Sequence, residues 1–412
     1  MKISFGQDIQ ISKKQFILIA SLVVNSISWY YLMTTYLESL LTQSNLSFGY
    51  LGKEAILASF FLFIALSSVA GVIMFPKSRM KSVLVCWIIV DIATFLLPSL
   101  LGPRTYIELL IFAAMLGFSV GFGFPKCLTY FSNSTSIEER GRVGGAMIFL
   151  TYLLTPLLLV ATQSLASSMR LATYAGWRAL GLGAIPFIQV TDSDESLQNE
   201  ATDRQQFTQR REFLLYFIPW VTFSLINGID THVYGKFHSQ ETIETGLTLI
   251  HLSGSFCSIL AGIALDFVGR RTSITFAMVI LGLGFVALSF AQTSLVSWFF
   301  FSITTGIAWG VLSIAYILVL WGELGSREKR EKYYAIGMIP FFLSQAVGYI
   351  LSPMLSGFSS IQLFSTATLL NFLAVIPLLF AEEVLPSRTI EQRRMRDYIK
   401  RAKQLTGDSK RH

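Results

Sequence analysis

The residues best able to do chemistry are few, and one cluster of them follows a pattern. Gly262–Arg271 reads GIALDFVGRR, that is G-x-x-x-D-x-x-G-R-R. Gly262 lets two helices approach closely, and Gly269 can take a turn conformation closed to other residues. Asp266 offers a carboxylate at a helix end, where it can meet the positive N-terminus of another helix. Arg270 and Arg271 hold the loop in water on one side of a bilayer.

A second group consists of lone ionisable residues inside apolar stretches, where charge is costly and usually marks a pathway or a pair. Asp91 has two readings: it pairs with Lys126, or it is a neutral carboxyl that accepts a proton. Lys126, after Pro125, can bind an anionic group, pair with a carboxylate, or reach water by its long side chain. Arg178 lies in the sixth apolar stretch. Asp230 and His232 lie near the end of the seventh, and His251 is either a hydrogen-bonded core imidazole or a proton carrier. Asp91, Asp230 and His251 are the candidates for ion coupling. Amides and aromatic rings suit hydroxylated or ring-containing solutes, and Asn25, Trp29, Tyr30, Asn227, Trp309, Tyr316 and Gln345 are the uncharged candidates. Cys86, Cys127 and Cys257 form neither a disulfide framework nor a metal-ligand spacing. Phosphate loops, nucleophile elbows and dinucleotide fingerprints are missing from the sequence. The expectation is therefore a non-enzyme without metal or cofactor.

These residues need elements to carry them, and composition says which kind. Apolar residues make up 53% of the chain and charged residues 14%, against about 25% charged in a globular protein. Stretches of transmembrane length fall near 16–37, 54–75, 82–101, 105–131, 143–166 and 171–190, then 213–235, 241–265, 272–292, 295–321, 333–354 and 360–381. The expected class is an all-α integral membrane protein with twelve spanning helices. Residues 1–190 form one six-helix bundle and 213–381 a second. Residues 191–212 are polar and without apolar period, which predicts a solvated linker. The tail, 382–412, is basic; Ile390, Met395, Tyr398, Ile399 and Ala402 share one face if Thr389 starts a helix, as in an interfacial helix on anionic lipid. The net charge of +7 would hint at nucleic acid in a soluble protein. Here 26 of the 32 Lys and Arg lie in the leader, alternate loops and tail, against four in the opposite loops. That asymmetry puts both termini in the cytoplasm and makes nucleic acid an unexpected partner; a monomer in the plasma membrane is the expectation.

The chain also repeats itself. Gly71–Lys81, GVIMFPKSRMK, precedes Gly262–Arg271 by about 190 residues, with Gly71 and Arg79 matching Gly262 and Arg270. Phe75 replaces the aspartate and Ser78 the second glycine. Gly117 and Gly121 precede EERGRVGG at Glu138–Gly145, as Gly306 and Gly310 precede GELGSREKREKYYAIG at Gly322–Gly337. Two charge-rich loops at one offset argue for duplication.

Gly262–Arg271 resembles the signature loop of the major facilitator superfamily, which occurs between the second and third and between the eighth and ninth helices. Glu138–Arg142 is similar to that family's loop between helices four and five, and Ala381–Arg394 resembles the ending after helix twelve in its sugar-porter-like and organic-solute branches. The resemblance implies two six-helix bundles and alternating access to a small organic solute, by a uniporter or a proton-coupled symporter. It implies that spans one, four, seven and ten line the cavity, so that Lys126 can face water there. It also implies that Asp266 faces the N-terminus of span five near Arg140 and Arg142, as a latch that steadies one state. A multidrug or metabolite exporter is the alternative, against which stand the lone Thr155-Pro156 in span five and the missing arginine in span four. A transporter-like receptor that moves nothing is kept open by Phe75. A membrane-embedded enzyme finds only four histidines to build on.

Overall fold

The structure, a computed structural model, describes residues 11–44, 52–75, 80–102, 105–188, 203–230, 232, 234, 238–326 and 328–385. The first set of helices is α1 (Lys13–Gln43), α2 (Gly52–Met74), α3 (Met80–Leu101), α4 (Tyr106–Phe122), α5 (Phe124–Ser134), α6 (Arg140–Gln163) and α7 (Ser167–Ala184). The second is α8 (Asp203–Asp230), α9 (Gln240–Phe267), α10 (Arg270–Phe290), α11 (Leu295–Leu312), α12 (Leu320–Leu324), α13 (Arg330–Leu351), α14 (Ser360–Leu373) and α15 (Val375–Phe380). Three spans are thus made of two pieces. In the fourth, α4 gives way to α5 at Gly123, with Pro125 at the start of the new helix where its missing N–H costs nothing. In the tenth, a π-helical turn over Ser313–Val319 joins α11 to α12. The twelfth is α14 and α15.

Among the described residues, eleven helical segments are long and apolar enough to cross a bilayer. α7 falls outside that group because it carries Arg170 and Arg178, yet it packs on α1 and α3 and takes the sixth place in the first set. Starts are set by side-chain caps: Ser12 on α1, a Thr105–Glu108 capping box on α4, Ser239 on α9, and a Ser359–Gln362 box on α14. The expected linker ends sooner than its polarity suggested, for α8 is already helical at Asp203. Helix propensity in DRQQ suffices there without any apolar face. The basic tail from 386 onward lies outside the described residues, as do Ser78 and Arg79.

Within each set helices pack side by side: α2 on α4 and α1 on α6 in the first, α9 on α11 and α8 on α13 in the second. Two seams join the sets, α6 against α9 and α2 against α13. The α6–α9 seam is close because a Cβ on Gly262 would meet the Gly141 backbone, and one on Gly145 would meet the Ser258 carbonyl. Large aliphatic and aromatic side chains such as Leu66, Val160, Leu260 and Phe290 point outward. Such a surface is stable against hydrocarbon and aggregation-prone in water.

Candidate functional site

At one end of the α6–α9 seam, charge is concentrated and fully paired. Asp266, near the end of α9, is buried against the first turn of α6. Its Oδ1 accepts from the Gly141 amide at 2.8 Å, and its Oδ2 from the Arg142 amide at 2.9 Å and Arg142 Nε at 3.2 Å. The first amides of a helix have no partner inside it, so a carboxylate there gains both hydrogen bonds and the helix dipole. Arg270 Nη1 adds a third side, 3.0 Å from Oδ1. The same guanidinium reaches Glu323 at 2.9 Å, and Glu323 accepts from Arg140 at 3.3 Å. Gly269, with φ of 120°, turns the chain between α9 and α10 in the left-handed region. Glu383 then closes the start of α10, accepting from the Arg270 amide at 2.7 Å and the Arg271 amide at 3.1 Å. Arg271 itself donates to the Ala381 carbonyl at 2.9 Å.

The other seam is built differently, and the sequence repeat says why. Phe75 stands where Asp266 stands in the second copy, and it packs edge-on against Phe122. Lys126, on α5, supplies the missing polar link: its Nζ donates to the Phe75 carbonyl at 2.8 Å and to Glu331 of α13 at 2.9 Å. Glu331 lies in the first turn of α13, where a carboxylate is favoured. Arg330 donates to Asn133 at 2.7 Å. Three ion pairs join the two sets among the described residues: Arg142–Asp266, Arg140–Glu323 and Lys126–Glu331. All three lie at the same end.

Toward the opposite end the sets part around a cavity of about 270 Å³. Tyr30, Tyr31, Thr34 and Glu38 enter it from α1, Phe61 from α2 and Tyr152 from α6. Asn227, His251, Trp309 and Gln345 enter from the second set, with Phe341 and Tyr349 beside them. Tyr152 lies ten residues past Arg142, or about 15 Å along a helix rising 1.5 Å per residue. The Tyr349 hydroxyl donates to Glu38 at 2.5 Å and spans the two sets near the far end of α13.

Residues 213–408 match a family model described as Major Facilitator Superfamily. The fold matches the proton:xylose symporter XylE, in a structure bound to 6-bromo-6-deoxy-D-glucose. The TM-score is 0.63 and identity 15%, over 90% of this chain and 96% of that one. It also matches the human organic anion transporter MFSD10 (TETRAN), with a TM-score of 0.64 and 14% identity over 88% and 98%. The family match takes in the second set of helices, just under half of the chain, and the whole chain has the fold of these transporters. It is a multi-pass membrane transporter and not an enzyme. No curated protein matches it by sequence.

Within this superfamily fold, the expected cavity residues divide. Tyr30, Asn227, Trp309 and Gln345 line the cavity, and so does the coupling candidate His251. Asn25, Trp29, Lys126 and Tyr316 do not. Tyr316 stacks on Trp220 at 4.6 Å, deep in the second set. Asp230 accepts from the Tyr234 hydroxyl at 2.5 Å and faces a separate apolar cleft beside α14. The expected Asp91–Lys126 pair is corrected: Lys126 is held by Glu331, and Asp91 by Arg178. Arg178 Nη2 and Nε lie 2.6 and 2.9 Å from Asp91 Oδ2, and Nη1 donates to Asn25 at 2.8 Å and Ser26 at 3.1 Å. The guanidinium also stacks on Trp87, 4.3 Å from the ring centre. Asn25 and Trp29 belong to this buried cluster, with the Asn25 amide donating to the Trp177 carbonyl.

Sequence reasoning passed over Glu38, Glu323, Glu331 and Glu383. Glu38 fell one residue past the expected end of span one, which in fact continues to Gln43.

Proposed function

We propose that the protein moves a small organic solute by alternating access of the cavity between two pseudo-symmetric six-helix bundles, with the Asp266 end toward the cytoplasm. The reading rests on one observation: the three ion pairs between the sets lie together at one end, and the cavity lined by both sets lies beyond them. Closure at one end with a cavity on the other side is what an alternating-access carrier needs in one of its two states. Charge asymmetry of the loops supports the orientation, and the plasma membrane is the place proposed for it. The protein would work as a monomer, since both walls of the cavity come from one chain. The basic tail would rest on anionic lipid.

Glu38 and His251 are the ionisable groups in the cavity, and either suits a proton-coupled step. Asp91, held by Arg178 outside the cavity, serves the bundle. Uptake into proteoliposomes across sugars, organic acids, amines and drugs tests the proposal. Saturable accumulation or exchange of at least one solute is expected, and comparison with and without a pH gradient decides coupling. A protein that moves nothing under either condition would be a receptor.

A further inference from the structure

The cavity has a charge character of its own. Glu38 is its carboxylate, and among the described residues neither lysine nor arginine lines it. Among the described residues no basic side chain forms an ion pair with Glu38; its Oε1 takes only the Tyr349 hydroxyl, a neutral donor. Around it stand aromatic rings. Phe61 lies stacked against Tyr349 at 5.8 Å, Tyr30 meets Tyr31 edge-on at 5.1 Å, and Trp309 and Phe341 continue the wall. Aromatic faces carry negative potential and attract cations, most strongly where water is excluded. The remaining polar groups, Thr34, Asn227, Thr305 and Gln345, are uncharged. His251 has its Nδ1 against the Leu247 carbonyl at 2.7 Å, which fixes the ring at the helix face.

Resting on the transport reading above, we infer that the cavity takes a small solute bearing one positive charge. Its ammonium group lies against Glu38 and the rings of Tyr30, Phe61 and Tyr349, and organic anions are excluded. A cation supplies Glu38 with the charge partner that no described residue offers. An anion would meet that carboxylate with no arginine or lysine among the described residues to offset it, and like charges in a low-dielectric site repel strongly. The volume of about 270 Å³ favours a compact cation over a bulky drug.

Equilibrium binding of radiolabelled choline and tetraethylammonium to the full chain in nanodiscs tests this. The competitors are the uncharged carbon isosteres of both cations and the anion tert-butylacetate. At least one cation should bind about tenfold or more tighter than its isostere, with no binding of the anion. Glu38→Gln should remove that preference, and Glu38→Asp should keep part of it, which separates lost charge from lost folding. The inference is overturned if neither cation is preferred, if tert-butylacetate competes, or if Glu38→Gln binds cations unchanged. Uptake in proteoliposomes separates the two proposals. Accumulation of a neutral solute without cation binding overturns the cation site and keeps transport. Cation binding without any uptake supports the site and removes transport.

Discussion

Arg178 shows how a membrane helix can carry a full charge. It is wholly buried, and every face of its guanidinium is occupied: Asp91 on one edge, Asn25 and Ser26 on another, Trp87 on its plane. Such a pair adds little stability over an apolar one, but losing one partner leaves an uncompensated charge in a medium that cannot solvate it. Arg178→Leu should therefore destabilise the protein by about 3–5 kcal/mol, read as a lowered midpoint of thermal unfolding in detergent. Arg178→Leu together with Asp91→Leu should recover much of that loss. Equal instability of the single and double variants would show that Arg178 matters for packing and not for charge. Asp266 is the opposite kind of carboxylate. Its partners come from both sets of helices, so its hydrogen bonds depend on how the sets stand to each other.

At the scale of elements, α6 and α9 can exchange hydrogen bonds at their ends only because small residues let their backbones meet. Gly262 lies against Gly141 and Gly145, with the Asp266 carboxylate one turn further along α9. Gly262→Val would place branched carbons where the Gly141 backbone stands, pushing the helices apart by a distance that Asp266 cannot follow. Its effect should be loss of closure at that end with the bundles themselves intact. Disulfide crosslinking between cysteines placed on α6 and α9 should slow several-fold, while thermal stability falls by less than about 2 kcal/mol. Crosslinking at the unaltered rate would show that the seam tolerates the added volume. The broken spans belong to the same scale. The π-turn of Ser313–Val319 lies between Trp309 in the cavity and Glu323 in the ion-pair cluster, and an under-wound turn there is a place where a helix can bend.

For the whole molecule, the two seams are pseudo-equivalent in place and unequal in chemistry. One is bridged by Asp266 on helix amides; the other by Lys126, which spans the Phe75 carbonyl and Glu331. Asp266→Asn keeps the shape but removes the charge that Arg142 and Arg270 face. It should shift the balance of states toward opening at that end by about 1–3 kcal/mol, since hydrogen bonds to a charged group contribute that much more than neutral ones. Thiol-reagent labelling of cysteines introduced behind the latch, measured in both variants, reports the shift. An unchanged labelling rate would mean that Glu323 and Lys126 hold the closed end without it.

The amino-acid sequence determined the class of protein, its spans and the place of the Asp266 loop. Those rest on local properties: length of apolar runs, loop charge, and the glycine and aspartate spacing of Gly262–Arg271. It also carried the inequality of the halves, because Phe75 is visibly not an aspartate. Which charges meet was decided only by the tertiary structure. Asp91 and Lys126 lie at compatible depths, yet they take partners in different places, because pairing depends on helix rotation about its axis and a repeat of apolar residues in lipid leaves that angle undetermined. The same rotation placed Asn25 and Trp29 in the bundle interior and Glu38 in the cavity. A mid-span asparagine and a carboxylate at a span's edge carry no local mark of which way they face.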